Sequence, residues 1–417
     1  MKKNSLTLAF LSVIGLLSIM FSSCSKVNSV EDPHFTEDGF YLPDSDSKHA
    51  FELVHPNKIK YYVEVSGSMN GFFRANQPTQ FKTDVWEIMS YFSALPSEVI
   101  ILTNNGSTGV RMSIDNFRQQ MNTGSFISSA STQVPIMLAS IINDIKPRQG
   151  EVAVLISDMK YSPVGANAPK VLMEQYSPDV SRILGTFHKP VCLISAVSNY
   201  LDKKTVVNES PYYFFLIGNE GEVAYLRNAI STLLDNNHRF IDNIESGFDY
   251  GAPTYSFGIP EYCYQLDEEP AFVDFDESAS DTCIINLKVD LARYRWLISD
   301  SACFKNAFKC KALYGSNVSV GNVKIEVQNI TGKKLNRTAT AIVQLKLFNL
   351  TMDSEVIEWS LELPDLNVEK FTRFFGALGE NDYTKSYSIE NFIQGIFYGG
   401  VINKTLKPNY ILISKNS

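Results

Sequence analysis

The sequence predicts an α/β fold, in which a three-layer α/β domain is followed by a mainly antiparallel, β-sandwich-like domain. Between residues 56 and 245, short apolar runs alternate with segments whose apolar residues recur at helical spacing. Between residues 246 and 417, apolar and polar residues alternate one by one, which is typical of half-buried strands. A length of 417 residues also favours two domains over one.

The first region contains strand-like and helix-like segments in alternation. We assign strands to residues 58–65, 98–103, 151–157, 190–196 and 212–217, and helices to residues 84–92, 134–145, 174–187 and 221–235. The third strand is a continuous apolar run, as in strands that are buried on both faces. Alternation of this kind predicts a mostly parallel sheet that is wrapped by helices.

The second region contains several segments in which apolar residues occupy every second position. The pattern covers residues 285–291, 323–327, 343–347 and 357–363. Two helical patches, at residues 368–378 and 389–397, and one further strand between 403 and 414 follow these segments. Several half-buried strands in succession favour a β-sandwich with short helices.

The amino terminus has the pattern of a secretory signal. Two lysines precede an apolar run at residues 6–21, which small residues separate from Cys24. The cysteine at this position resembles the lipobox of bacterial lipoproteins, which implies cleavage before Cys24 and a lipid on it. We therefore assign residues 1–23 to a signal peptide and residues 24–55 to the lipidated cysteine and a polar tether. A plain signal peptide with a coincidental cysteine is the alternative.

Charge and cysteine content agree with a lipid-anchored protein of the bacterial cell envelope that faces away from the cytoplasm. The formal charge is −8, and removal of Lys2 and Lys3 makes it −10, which argues against nucleic acid as a partner. Cys192 lies in an apolar run and is predicted to be a buried free thiol. An oxidising compartment permits disulfide bonds among the remaining four cysteines, but the sequence does not indicate which of them pair. These are Cys263, Cys283, Cys303 and Cys310.

Three segments of the α/β region place oxygen-bearing side chains where a strand ends or a helix begins. Glu64, Ser66 and Ser68 follow the apolar part of the first strand, with a glycine between the two serines. Thr132 precedes the second helix, and Asp158 follows the third strand. The carboxyl edge of an open α/β sheet is where ligands bind, so we expect these residues to converge there.

The order of these segments resembles the metal-ion-dependent adhesion site of von Willebrand factor A domains, which have a three-layer Rossmann-like fold. Its first loop reads Asp-x-Ser-x-Ser, and here Glu64 stands in place of the aspartate. The resemblance implies a Mg²⁺ or Mn²⁺ ion bound directly by Ser66, Ser68 and Thr132. Glu64 and Asp158 would act through water, and an Asp or Glu of a partner protein would complete the shell.

The resemblance covers residues 56 to about 240 and predicts a role in protein–protein contact at the envelope, either adhesion or assembly. Two alternatives stay open: a structural lipoprotein whose site holds no metal, and a carbohydrate-binding lipoprotein that uses the β-rich domain. Residues 65–69 lack a Gly-x-Ser-x-Gly elbow, and the sequence contains no P-loop or dinucleotide fingerprint. We therefore predict no enzymatic activity.

Overall fold

The computed structural model describes residues 34–35, 41–42, 53–103, 108–126, 132–161, 169–202, 205–258, 263–266, 272–276, 280–291, 297–298, 300–329, 337–350, 354–364, 368–376, 382–399 and 406–416. The predicted signal peptide, Cys24 and nearly all of the tether lie outside these residues. Chain contacts divide the protein into residues 1–45 and residues 46–417. In the first unit, β1 (His34–Phe35) pairs with β2 (Tyr41–Leu42) in antiparallel orientation.

The second unit contains the remaining strands and all described helices. The strands are β3 (Lys58–Glu64), β4 (Ser97–Thr103), β5 (Thr108–Met112), β6 (Glu151–Ser157), β7 (Val191–Asp202), β8 (Thr205–Ile217), β9 (Phe240–Ser246), β10 (Tyr255–Phe257), β11 (Cys263–Leu266), β12 (Phe272–Asp276), β13 (Thr282–Asp290), β14 (Phe308–Ala312), β15 (Asn317–Asn329), β16 (Arg337–Phe348), β17 (Ser354–Leu361), β18 (Phe375–Gly376), β19 (Ser386–Tyr387) and β20 (Asn409–Asn416). The α-helices are α1 (Gln80–Tyr91), α2 (Ile114–Thr123), α3 (Val134–Asp144), α4 (Pro169–Phe187), α5 (Glu220–Asn236), α6 (Ser301–Ala307), α7 (Glu369–Thr372) and α8 (Ile389–Gly399).

The central sheet is mixed, so the prediction of a mostly parallel sheet is wrong. Its seven strands are arranged in the order β5-β4-β3-β6-β8-β7-β9. Only β3–β4 and β3–β6 are parallel among the described pairs of this sheet. The two residues 203–204 separate β7 from β8, and so short a connection can join strands only as an antiparallel hairpin.

Helices cover both faces of the central sheet because successive side chains of each strand point to opposite sides. Ile59, Tyr61 and Val63 belong to one buried apolar cluster together with residues of α1, α2 and α5. Tyr62 lies in a second cluster together with residues of α3, α4 and α8. The predicted mixed α/β class is therefore confirmed.

Two larger sheets follow the central one in sequence, and β18 pairs with β19 in a separate two-stranded parallel sheet. The order β10-β13-β16-β15 is antiparallel throughout, and the order β11-β12-β20-β17-β14 contains one parallel pair, β12–β20. The period-two pattern predicted the buried face correctly, since Ile285, Leu287 and Val289 are buried in β13. Tyr255 of the first sheet contacts Trp359 of the second, with ring centroids 5.0 Å apart.

The helix α8 packs on the central sheet although it follows the β-rich segments in sequence. The ring centroid of Phe392 lies 5.2 Å from that of Phe215 in β8. The Ser246 hydroxyl of β9 donates a hydrogen bond to the carbonyl oxygen of Ile396, at 3.0 Å. Contacts therefore cross the boundary that the sequence suggested between residues 245 and 246.

Gly395 is a position at which α8 packs closely against α4. A Cβ atom there would lie 2.6 Å from the Val180 Cβ and 2.9 Å from the Ser177 carbonyl oxygen. We expect Gly395→Ala to lower the free energy of unfolding by about 1–3 kcal/mol, measured by urea denaturation, because the helices must move apart. Gly185→Ala in α4 is the matched control, since its Cβ would meet only the Gly399 carbonyl oxygen at 3.7 Å. Equal effects of the two substitutions would contradict this packing.

Cys192 is a buried free thiol, as the sequence predicted. Cys303 and Cys310 are free and partly buried, and Cys283 is buried. The side chain of Cys263 lies outside the described residues.

In the part of the chain that the structure describes, every helix is too short or too polar to cross a bilayer.

Candidate functional site

The carboxyl ends of β3 and β6 form the frame of the candidate site. The two strands are parallel neighbours, and Val63 pairs with Ile156. The next residues, Glu64 and Ser157, therefore lie side by side at the same edge of the sheet. Thr132 reaches this edge from the segment that leads into α3.

The buried carboxylate of Glu64 is the centre of a hydrogen-bond cluster at this edge. The Thr132 hydroxyl donates to Oε1 of Glu64 at 2.6 Å. The Ser157 hydroxyl donates to Oε2, and it also accepts a hydrogen bond from the backbone N–H of Met159, at 2.8 Å. Each oxygen of the Glu64 carboxyl group therefore has a hydrogen-bond partner inside the protein.

Ser66 and Ser68 lie where the cluster meets solvent. Their hydroxyl oxygens are 2.9 Å apart and share a hydrogen bond. Ser66 is buried at the end of the strand, Ser68 is half-buried, and Gly67 between them is exposed. A short 3₁₀ turn, Gly67–Met69, carries the chain away from the sheet. The accessible part of the cluster is therefore the turn at residues 67–68.

Asp158 has one oxygen that makes a hydrogen bond and one that does not. Oδ1 accepts a hydrogen bond from the backbone N–H of Lys160, at 3.2 Å. Oδ2 is fully buried and has no hydrogen-bond partner among the described residues. The Lys160 Nζ lies 4.0 Å from this Oδ2 and is the cation that faces it. Met159 has a φ of 53°, a left-handed conformation that turns the chain sharply between these two residues.

The electrostatic environment favours a proton on Glu64. Burial, and then the nearby charge of Asp158, raises the pKa of Glu64 from 4.5 to about 7. Hydrogen bonds from Ser157, Ser66 and Thr132 act in the opposite direction but are outweighed. A carboxyl group with such a pKa is partly neutral near pH 7.

With Lys160 in place, the cluster does not fit a divalent ion. The hydroxyl of Thr132, which the resemblance makes a direct ligand, donates its proton to Glu64 and keeps its oxygen lone pairs. Ser157 donates to the other oxygen of Glu64, which can still accept a further hydrogen bond, so the misfit lies at Asp158. The charge opposite Asp158 is an ammonium group. Within the described residues, no cluster of three or more His, Cys, Asp or Glu side chains could hold a metal ion.

The structure brings together the five residues that the sequence singled out, Glu64, Ser66, Ser68, Thr132 and Asp158. Sequence reasoning missed two further members of the cluster, Ser157 and Lys160. Ser157 had a detectable signal, because it is the hydroxyl that ends an apolar strand next to a predicted site residue. Lys160 had none, since a lysine three residues beyond a strand is ordinarily exposed.

Comparison of the chain with models of protein families, with curated proteins and with solved structures gives no match.

Proposed function

We propose that this chain is a lipid-anchored protein of the bacterial cell envelope that contacts another protein through a von Willebrand A-like α/β domain. The observation that carries the proposal is the convergence of oxygen-bearing side chains from three separate segments at one sheet edge, around Glu64. The exposed turn at residues 67–68 lies directly beside this cluster. Its position makes it the surface where a partner would dock.

We infer that the contact does not require a metal ion. The hydrogen bonds of Thr132 and Ser157 end on Glu64, and Lys160 supplies a positive charge opposite Asp158. This favours the metal-free form of an assembly lipoprotein. In the Mg²⁺- or Mn²⁺-assisted form, the ammonium of Lys160 would have to move away from Asp158, and a partner's Asp or Glu would complete the shell of the ion.

We further infer that the two sheets after the central one form a β-sandwich that belongs to the same unit. Buried residues of both sheets fall into a single apolar cluster, which includes Leu287 of β13 and Ile411 of β20. The contact between Tyr255 and Trp359 joins their inner faces. A sandwich that is continuous with the α/β layer would support the docking surface rather than act as a separate binding module.

Photo-crosslinking from position 67 tests the docking surface. A Cβ atom at Gly67 would meet nothing within 4 Å, so a photoreactive side chain at this exposed position begins in open space. In intact cells that express the full chain, we expect one discrete protein adduct from position 67, and the same adduct in the presence of EDTA. Position 327 is the matched control, because Val327 is 47% exposed on the remote strand β15.

The outcomes separate the alternatives. Adducts of the same pattern from positions 67 and 327 would argue against a docking surface at this edge. An adduct from position 67 that EDTA abolishes would favour the metal-assisted form. As a second variant, Gly67→Trp is expected to leave the thermal midpoint of the protein unchanged while it blocks the contact.

A further inference from the structure

Lys160 is an unusual side chain because its charged end is buried next to the polar cluster. The residue is 5% exposed, and its Nζ lies 4.0 Å from Oδ2 of Asp158. Two tyrosine rings face the same ammonium, with centroids 5.3 Å away for Tyr383 and 5.9 Å away for Tyr387. Asp382 also lies near Lys160. Hydrogen bonds from Thr384 are the largest cause that lowers the pKa of the Asp382 carboxyl, and the positive charge of Lys160 adds to this effect.

A buried ammonium and a buried carboxylate oxygen without a hydrogen bond each need a partner of opposite charge. Removing a charge from water costs several kcal/mol unless another charge or a polar group compensates for it. Faces of aromatic rings attract a cation, and the attraction grows when water is excluded. Lys160 and Asp158 therefore stabilise each other, and the two tyrosines stabilise the ammonium from the other side.

The segment that supplies the tyrosines, residues 382–388, is anchored at the edge of the central sheet. The Ser386 hydroxyl donates a hydrogen bond to the carbonyl oxygen of Asp158, at 2.8 Å. The ring of Tyr383 stacks on that of Tyr200 in β7, with centroids 4.4 Å apart. These contacts hold the aromatic rings in place over Lys160.

We propose that Lys160 is the resident cation of this site, an internal ammonium that balances the charge of Asp158 where the cluster would otherwise attract a divalent ion. The residues from 382 to 388 close the ammonium off from solvent. Removal of the ammonium should leave two neighbouring acidic groups, Glu64 and Asp158, among hydroxyl oxygens. Such an all-oxygen set suits Mg²⁺ or Mn²⁺.

The test is thermal unfolding of a chain that lacks the predicted signal peptide and Cys24, residues 25–417, first in EDTA and then with increasing Mn²⁺. We expect the midpoint of the wild-type protein to stay constant. Lys160→Met, which keeps the apolar stem, should unfold a few degrees lower in EDTA and recover saturably with Mn²⁺. Lys160→Met combined with Asp158→Asn should not respond to Mn²⁺. Lys324→Met is the matched control, because the side chain of Lys324 is 72% exposed.

Two results would overturn the inference. A saturable rise of the wild-type midpoint that Asp158→Asn abolishes would show that the site takes an ion while Lys160 is present. A Lys160→Met midpoint that does not respond to Mn²⁺ would show that the ammonium does not stand in for an ion. If Lys160→Met does not fold, Lys160→Gln replaces it, and failure of both variants to be rescued by Mn²⁺ counts against the inference. No partner protein is needed, so this inference and the proposed function can fail separately.

Discussion

Replacement of Arg227 by methionine is expected to lower the free energy of unfolding by about 3–5 kcal/mol, because it leaves a buried carboxylate without its cation. Arg227 of α5 is 5% exposed, and Glu245 of β9 is 1% exposed. The Arg227 Nη1 donates a hydrogen bond to Oε1 of Glu245, and the Tyr250 hydroxyl donates to Oε2 at 2.8 Å. This network fixes α5 against the edge strand of the central sheet.

Urea denaturation of the single and double variants measures this effect. Arg227→Met combined with Glu245→Gln should recover a large part of the loss, because the neutral amide can still accept the hydrogen bond of Tyr250. Recovery in the double variant would assign the loss to the unpaired charge rather than to packing. A loss below about 1 kcal/mol in Arg227→Met, a value typical of exposed ion pairs, would contradict the burial of this pair.

The stability of the protein is expected to fall as the pH rises from about 4.5 to about 7, and Glu64 is a main cause. Burial and Asp158 raise the pKa of Glu64 to about 7 in the folded protein, against an ordinary value of 4.5. Within this window the folded state binds more protons at Glu64 than the unfolded state, so the free energy of unfolding decreases with pH. Below this window, the raised pKa of Glu64 contributes roughly 3 kcal/mol to the free energy of unfolding, because a difference of one pKa unit corresponds to about 1.4 kcal/mol.

Urea denaturation at a series of pH values, with Glu64→Gln as the variant, isolates this contribution. The amide keeps the shape of the side chain but cannot titrate, so the fall between pH 4.5 and 7 should be smaller in the variant by that amount. Asp84→Asn is the control, because burial raises the pKa of Asp84 to about 6 and its contribution ends at lower pH. A wild-type stability that instead rises through this window relative to Glu64→Gln would indicate a bound cation, which lowers the pKa of a neighbouring carboxyl.

The sequence predicted those elements whose apolar pattern is strong. The continuous apolar run at residues 151–157 is β6, and the predicted helix at residues 221–235 is α5, with one added residue at each end. Both segments bury most of their length, so burial determines their pattern. The hairpin of β7 and β8 escaped prediction because the first residues of β8, at 205–209, are mostly exposed and polar. The edge strand β5 was missed for a similar reason, since it includes the exposed residues Gly109 and Val110.

The sequence could predict those residues of the candidate site that lie directly at the ends of predicted strands. Glu64 and Asp158 end neighbouring parallel strands, and the carboxyl ends of such strands meet at one edge. The environment of Lys160 was not predictable, because Tyr383 and Tyr387 lie more than 200 residues further along the chain. No local pattern indicates that a segment after the β-rich region returns to the central sheet. The hydrogen bonds that satisfy Glu64 are likewise a result of tertiary packing.

The most direct measurement of whether this polar cluster is complete without an ion is equilibrium dialysis of the wild-type chain, residues 25–417, against Mn²⁺ after treatment with EDTA. If Lys160 balances the charge of Asp158, no Mn²⁺ should be retained above the level of the Asp158→Asn variant. Retention of one Mn²⁺ per chain that Asp158→Asn abolishes would contradict this.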